Sequence, residues 1–135
     1  LKARPIAFSR VPAGGTVGYG GTWTAHRPSR IAVLPVGYGD GYLRSSQPGA
    51  EVLVRGRRLP MVGRVSMDAV TIDVTDVPGL DRDDEFVLLG SQDGETISAG
   101  ELARRRNTIT WEVLTSMAQR LARVYHRSAG TNEAQ

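Results

Sequence analysis

The stretch M-V-G-R-V-S-M-D at residues 61–68 indicates which fold this sequence adopts. It is a strand-like run interrupted by polar residues, and a second such run, A-V-T-I-D-V at 69–74, follows with no turn residue between them. Polar groups inside a buried β segment are costly unless something uses them. The pattern therefore predicts strands on both sides of a β-bulge at residues 65–68. The bulge either packs, capped by Ser66 and Asp68, or frees a backbone N–H that suits a carboxylate.

Further strand-like runs lie on both sides of this stretch. They are rich in β-branched residues and are separated by turns of glycine, proline and aspartate. The runs are residues 2–11, 16–25, 30–36, 51–54, 58–62, 65–74 and 84–90. The pair 51–54 and 58–62 predicts a hairpin. Many short strands with frequent turns predict a mainly β domain, either a barrel or a sandwich.

The pattern becomes helical near the C-terminus. Ser98 and Glu101 have the spacing of a capping box, which predicts a short helix that Asn107 stops. A second helix is predicted from Thr110, because residues recur at helical spacing and would form one core-facing stripe. The predicted stripe is Trp111, Leu114, Thr115, Ala118 and Leu121/Ala122.

The two ends of the chain carry different signals. Residues 1–127 are predicted to form one domain, since a chain of 135 residues can bury a single hydrophobic core. Residues 124–127 predict a return to strand, and residues 128–135 a disordered polar tail. The start, L-K-A-R-P, has neither an initiator methionine nor a signal-peptide core. We therefore expect the chain to be a fragment of a longer protein.

The composition excludes several kinds of chemistry. Without cysteine there are no disulfides, thiolate metal sites or cysteine nucleophiles, and a cytoplasmic location is expected. The two histidines show no metal-ligand spacing, so no metal site is predicted. Lys2 is the only lysine, so chemistry that needs a buried catalytic lysine is not completed inside this chain. No apolar run approaches the roughly 18 residues that span a membrane.

The chain is basic, with a net charge of +3, and arginine supplies 16 of its 17 positive residues. Nucleic-acid binding by a small basic β-barrel is therefore an alternative to weigh. Such a barrel needs aromatic residues in a basic groove. Aromatic residues are only 6% of the chain, and the arginines are scattered except at 55–58 and 104–106. A GC-rich genome would also produce an arginine bias.

Two tyrosines lie among glycines. Tyr19 lies in V-G-Y-G-G at 17–21, where a ligand can approach the phenol closely or the ring can pack across a barrel corner. Tyr38 and Asp40 lie in G-Y-G-D-G at 37–41, which either serves a ligand or forms a tight turn in which Asp40 bonds its own backbone. The G-x-G-x-G spacing is not a phosphate-binding fingerprint. The residues alone leave both questions open.

Three stretches taken together resemble one known family. They are V-G-Y-G-G-T-W-T-A (17–25), L-P-V-G-Y-G-D-G-Y-L-R (34–44) and M-V-G-R-V-S-M-D (61–68). In order and spacing they resemble the C-terminal domain of alanine racemase, the pyridoxal-phosphate enzyme that interconverts L- and D-alanine. The likeness runs from about Leu1 to Arg127. It implies a small Greek-key-like β-barrel with two short helices near the C-terminus.

The resemblance implies partners that this chain does not contain. In the family an N-terminal barrel binds pyridoxal 5′-phosphate through a Schiff-base lysine, and two subunits pair head to tail. Each β domain thereby completes the active site of its partner. This chain would be the β domain of such a bacterial homodimer, inactive alone and without a cofactor of its own, in an enzyme that supplies D-alanine for peptidoglycan. A broad-specificity or serine-preferring racemase is the alternative within the family.

The resemblance also implies roles for six residues. Tyr19 matches the catalytic tyrosine, which removes or returns the α-proton of L-alanine on the face opposite the lysine. A free tyrosine has a pKa of about 10, so a tyrosine base needs nearby positive groups, and in the family these come mainly from the barrel. Met67 matches the position whose backbone N–H binds the substrate carboxylate, and Asp68 orders that loop. The remaining three line the positive substrate corridor and its entrance: Tyr38, Arg44 and Arg64.

One position departs from the family pattern. Some members carry a tyrosine near the C-terminal end that contacts the cofactor phosphate, and the matching residue here is Gln119. The R-V-P-R of the family is R-L-A-R at 120–123. The phosphate contact and the substrate range therefore stay open.

Overall fold

Eleven short β-strands and two α-helices form the framework of residues 1–126, the part of the chain that the computed structural model describes. The strands are β1 (Lys2–Ala3), β2 (Ala7–Val11), β3 (Thr16–Val17), β4 (Trp23–Thr24), β5 (Ser29–Leu34), β6 (Glu51–Val54), β7 (Arg57–Val62), β8 (Val70–Asp73), β9 (Phe86–Val87), β10 (Gly90–Gln92) and β11 (Glu95–Ile97). The helices are α1 (Ala99–Arg106) and α2 (Thr110–Thr115).

Seven strands pair into one antiparallel sheet in the order β1-β9-β6-β7-β8-β5-β2. The predicted hairpin is β6 and β7, with Val54 opposite Arg57. Strand β8 pairs with β7 on one side and with β5 on the other. The large sheet curls into a half-barrel, and β3–β4 and β10–β11 form two small two-stranded sheets. The prediction of a mainly β domain with two helices near the C-terminus is confirmed.

The hydrophobic core is built by the central strands of the sheet and by both helices. Val52, Leu53 and Val54 on β6 are all fully buried. Side chains alternate between the two faces of a strand, so three consecutive buried residues mean that both faces of β6 are covered. Leu102 of α1 and Val113 of α2 belong to the same buried cluster. The helices therefore extend the core of the sheet.

Helix α1 has the limits that the sequence predicts. The Ser98 hydroxyl accepts a hydrogen bond from the backbone N–H of Glu101 at 3.1 Å, which caps the first turn. Asn107 ends the helix in the left-handed conformation, with φ of 53°. The Ser98 cap and the stop at Asn107 are confirmed, but the capping box is only half formed, because the Glu101 carboxylate bonds Arg58 instead of the Ser98 backbone.

Helix α2 begins where predicted, but its predicted core-facing stripe is wrong. The helix has only six residues, fewer than two turns, so the positions after Thr115 are not helical. Trp111 and Leu114 are 71% and 48% exposed, whereas Val113, outside the predicted stripe, is fully buried. So short a helix has one core-facing position, and Val113 occupies it.

Several predicted strands are broken or shorter than expected. The run 2–11 is split into β1 and β2 around Pro5, which has no backbone N–H to pair. The run 84–90 contains β9 and the start of β10, and the hairpin of β10 with β11 was missed. Its turn is Asp93-Gly94, with φ of 49° and 87°, a dipeptide typical of tight hairpins.

The predicted return to strand at the C-terminus is wrong for residues 124–126, which have no regular structure. Arg127 and the predicted tail 128–135 lie outside the described residues. Within residues 1–126, no helix combines the length and the hydrophobicity needed to span a membrane. The same residues contain no group of three acidic or histidine side chains placed to hold a metal ion.

Candidate active site

Three loops meet at one depression on the protein surface. They are the Tyr19 loop (residues 18–22), the Tyr38 loop (residues 37–44) and the Met67 loop (residues 63–69). The depression has a volume of about 350 Å³. Its lining residues are Tyr19, Tyr38, Arg44, Arg64, Val65, Ser66 and Met67. The structure thus brings together five of the six predicted site residues, and the sixth, Asp68, follows Met67 directly.

The Tyr19 loop is a turn, although the sequence predicted a strand there. Residues 19–21 form a tight, kinked turn between the short strands β3 and β4, with φ of 71° at Gly20. A Cβ atom on Gly18, whose φ is 85°, would lie 2.9 Å from the backbone nitrogen of Arg64. The glycine therefore lets this loop pack against the backbone of the Met67 loop. The Tyr19 side chain itself is 73% exposed and can meet a group from outside the chain.

The Tyr38 loop separates its two tyrosines. Tyr38 is 43% exposed and lines the depression, whereas Tyr42 is fully buried. Burial raises the pKa of Tyr42 to about 12, so its hydroxyl stays neutral and belongs to the core. Asp40 accepts a hydrogen bond from the backbone N–H of Gly37 at 3.0 Å, as the tight-turn alternative predicted. The loop is therefore both a tight turn and part of the site.

The Met67 loop is the connection between β7 and β8, and the predicted β-bulge is wrong. Strand pairing ends at Val62 opposite Thr71, so residues 63–69 close a hairpin instead of interrupting a ladder. The loop is held by Ser66, whose backbone N–H donates to the carbonyl oxygen of Ala69 at 3.0 Å and whose hydroxyl also bonds Ala69. Polar residues occur here because they form the turn.

The backbone N–H of Met67 has no acceptor among residues 1–126. The Met67 side chain is 53% exposed, so the methionine does not fill the core. A backbone N–H without an acceptor at the edge of a depression can bind an anion. The free donor that the sequence analysis expected is therefore present, although a loop rather than a bulge provides it.

Backbone hydrogen bonds join the Tyr38 loop to the Met67 loop. The N–H of Tyr38 donates to the carbonyl of Ser66 at 3.0 Å, and the N–H of Gly39 donates to the carbonyl of Met67 at 2.8 Å. A Cβ atom on Gly37 would lie 2.2 Å from the Ser66 carbonyl oxygen, far inside contact distance. The contact is possible only because residue 37 is glycine. The two loops form one unit.

Arg120 is a further residue of this region, and the sequence analysis gave it no role. Its guanidinium pairs with Asp40 at 2.7 Å and with Asp68 at 3.0 Å. Arg120 is the first arginine of R-L-A-R (120–123), which matches R-V-P-R in the family. No local sequence pattern connects it with carboxylates that lie 80 and 52 residues away. Helix α2 does not extend to residue 120, so helical spacing does not report the position of the Arg120 side chain.

Two arginines give the depression a positive charge. Neither Arg44 nor Arg64 has an ion-pair partner among residues 1–126. Both also line a neighbouring groove of about 650 Å³ that contains Trp23. Unpaired positive charges around a concave surface raise the local concentration of anions.

Five of the other 13 arginines among residues 1–126 pair with carboxylates. The arginines paired with acidic side chains are Arg27, Arg55, Arg58, Arg105 and Arg120. Arg58 alone meets Glu51, Glu95 and Glu101. These pairs remove charge that a nucleic-acid groove would need, so the nucleic-acid alternative gains no support.

A pH dependence of stability is expected from Asp40. Burial acts to raise the pKa of Asp40, but the hydrogen bonds from Arg120 and the Gly37 N–H, together with the Arg120 charge, hold this pKa below the usual value of about 3.9. A carboxyl whose pKa is lower in the folded state than in the unfolded state stabilises the fold at pH values above the unfolded-state pKa. This stabilisation is lost as the pH falls through the folded-state pKa.

The stability advantage of the unchanged chain over Asp40→Asn should therefore shrink below about pH 4. Urea unfolding of both chains between about pH 7 and about pH 2.5 measures it. Carboxyls away from Arg120 titrate equally in both chains, and Asp68, which shares Arg120, is 69% exposed, so the difference reports mainly on Asp40. An advantage that stays constant across this range would contradict the role given to the Arg120 pair.

Comparisons with known proteins point to one family. Residues 1–125 match the family described as "Alanine racemase, C-terminal domain". The alanine racemase of Sorangium cellulosum is 46% identical over 129 residues, which covers 93% of this chain and 34% of that protein.

Solved structures agree with the sequence comparison. The biosynthetic alanine racemase of Pseudomonas aeruginosa has a TM-score of 0.85 at 40% identity, over 94% of this chain and 34% of that chain. The alanine racemase of Bartonella henselae, solved with covalently bound pyridoxal phosphate, has a TM-score of 0.85 at 32% identity, over 93% of this chain and 34% of that chain. This chain thus spans about a third of the length of the relatives it matches.

Proposed function

Because this chain belongs to the family of alanine racemase C-terminal domains, we propose that it is the β domain of an enzyme that interconverts L- and D-alanine. In the complete enzyme, by which we mean this chain preceded by a cofactor-binding barrel, the domain would complete the active site of a partner subunit. The enzyme would be a cytoplasmic, bacterial homodimer that supplies D-alanine for peptidoglycan.

One observation carries the proposal. An exposed phenol, a backbone N–H and two arginines surround the same depression, and the residues are Tyr19, Met67, Arg44 and Arg64. Among residues 1–126 the N–H has no acceptor and neither arginine has an ion-pair partner. A phenol can take or give a proton, and the N–H and the arginines suit a carboxylate. An amino acid carries both the proton and the carboxylate that these groups would serve.

The residues of this chain would not hold the cofactor covalently at the depression by themselves. Covalent attachment of pyridoxal phosphate needs a lysine amine, and the only lysine is Lys2. Lys2 lies on β1, pairs with Glu85 at 2.6 Å and is absent from the lining of the depression. We therefore propose that the barrel binds the cofactor. When bound, the cofactor supplies the electron-accepting chemistry that makes the α-proton removable.

Within this division of labour, the domain has two tasks. The Tyr19 hydroxyl would move a proton to or from the α-carbon on one face of the substrate, while the barrel's lysine serves the opposite face. The Met67 N–H would bind the substrate carboxylate, drawn in by the charges of Arg44 and Arg64, with Tyr38 at the narrow inner entrance. In this mechanism racemisation uses one base on each face, so a chain that carries only one of them should not catalyse it.

The proposal is tested by assaying the isolated chain beside the complete enzyme. With L-alanine and pyridoxal phosphate, the complete enzyme should racemise alanine, and the isolated chain should neither racemise it nor form a covalent cofactor adduct. A panel of L-amino acids given to the complete enzyme separates an alanine enzyme from a serine-preferring one and also assesses the Gln119 departure. Turnover by the isolated chain, or a complete enzyme without racemase activity, would contradict the proposal.

A further inference from the structure

Arg120 holds two of the site loops through different nitrogens of its guanidinium. Its Nε donates to Oδ1 of Asp40 at 2.7 Å, and its Nη2 donates to Oδ1 of Asp68 at 3.0 Å. The Asp40 side chain is 8% exposed, whereas that of Asp68 is 69% exposed. Arg120 therefore links a buried anchor in the Tyr38 loop to an exposed position in the Met67 loop.

The guanidinium lies over the place where the two loops touch. A Cβ atom on Gly39 would lie 2.8 Å from Nη2 of Arg120 and 3.0 Å from the carbonyl oxygen of Met67. The backbone near Arg120 is also fixed to the Tyr38 loop, since the N–H of Ala118 donates to the carbonyl of Asp40 at 3.0 Å. Arg120 thus closes the junction between the loops from a third segment of the chain.

The junction controls the direction of the Met67 N–H. This N–H belongs to the same peptide unit as the Ser66 carbonyl, which accepts the hydrogen bond from the Tyr38 N–H. A peptide unit is planar and trans, so fixing its carbonyl oxygen also fixes its N–H. If the two loops moved apart, this peptide unit would lose its hydrogen bond and could rotate.

We infer that Arg120 is a positioning residue that aims the Met67 N–H at the substrate carboxylate. The inference rests on the proposed function, because it assigns a cause to the carboxylate contact proposed there. A planar guanidinium can meet two carboxylates at fixed angles, whereas a lysine ammonium is a single flexible point charge. Arginine is therefore required for positioning, while any cation would neutralise Asp40.

The test compares three variants of the complete enzyme: Arg120→Gln, Arg120→Lys and Asp68→Ala. Each should raise KM for L-alanine and the inhibition constant of propionate, a carboxylate without the amine, by about tenfold, with kcat changed less than about twofold. Arg120→Lys should recover most of the thermal stability that Arg120→Gln loses, since lysine still neutralises Asp40. A purely structural role would not raise KM in the lysine variant.

Arg82→Gln is the matched control, because Arg82 is exposed and has no ion pair among residues 1–126. If Arg120→Gln does not fold, Asp68→Ala still tests the inference, because the pair it removes is exposed and adds little to stability. Values of KM and of the propionate constant within about twofold of this control, in both Asp68→Ala and Arg120→Lys, would overturn the inference. A complete enzyme that does not racemise alanine would instead overturn the proposed function.

Discussion

Tyr19→Phe in the complete enzyme is expected to slow alanine racemisation by about 10²–10⁴-fold, the range that a positioned proton-transfer group contributes. The change removes only the hydroxyl oxygen. Tyr19 is 73% exposed on a turn at the surface, so the fold loses no buried contact. The cofactor should stay bound, because no residue of this domain is proposed to hold it covalently. Racemase rates and the absorbance of the bound cofactor measure the two quantities separately.

Tyr125→Phe is the control for this substitution. It makes the same chemical change at a tyrosine that is 88% exposed and lies outside the depression, so its rate should match that of the unchanged enzyme. Exchange in deuterated water gives a sharper test, since Tyr19 is proposed to serve one face only. With the Tyr19→Phe enzyme, the α-hydrogen of L-alanine should no longer exchange with solvent deuterium, whereas that of D-alanine should still exchange. Equal exchange of both enantiomers would remove Tyr19 from the proposed mechanism.

Gly41→Ala is expected to lower the free energy of unfolding of the chain by about 2–5 kcal/mol, the sum of a backbone cost and a steric cost. Gly41 has φ of 91°, a conformation that L-residues adopt only with strain. A Cβ atom there would lie 2.0 Å from the carbonyl oxygen of Ser116, a backbone atom that cannot rotate away. The substitution therefore pushes the Tyr38 loop away from the end of α2.

Gly79→Ala separates the two costs. Gly79 also has a positive φ, of 74°, but nothing lies within 4 Å of its added Cβ atom. Its free energy of unfolding should therefore fall only by the backbone cost of about 1–2 kcal/mol. Urea unfolding of both variants gives the comparison, and equal losses would mean that Gly41 is not tightly packed against Ser116.

The parts of the fold predicted correctly from sequence are those with local signals. The hairpin of β6 and β7 follows from two apolar runs around a short turn, and α1 follows from Ser98 and Asn107 at its ends. Each signal acts through neighbouring backbone groups, so nearby residues are enough to predict it. The site residues required the three motifs together, because each glycine-flanked tyrosine alone also fits a packing role.

The features that were missed depend on contacts between distant parts of the chain. Arg120 lies 80 residues from Asp40 and 52 from Asp68, and no periodicity reports an ion pair at such separation. The sequence does not separate a β-bulge from a hairpin loop at residues 63–69, because polar residues between two strand-like runs are expected for either structure. The orientation of α2 depends on which of its few positions meets the core, and helical spacing over six residues does not decide that.

The free backbone N–H at residue 67 has a consequence for evolution. A mutation changes a side chain but leaves this donor in place, unless it introduces proline. If the N–H binds the substrate carboxylate, an inhibitor that mimics the carboxylate could not be escaped by ordinary substitutions of Met67. Escape would require changes that displace the Met67 loop, such as an added Cβ atom at Gly37 or Gly39 or the loss of Arg120, and these would weaken the contact with the substrate carboxylate as well. Among descendants of this sequence, the side chain at position 67 should vary while these two glycines persist.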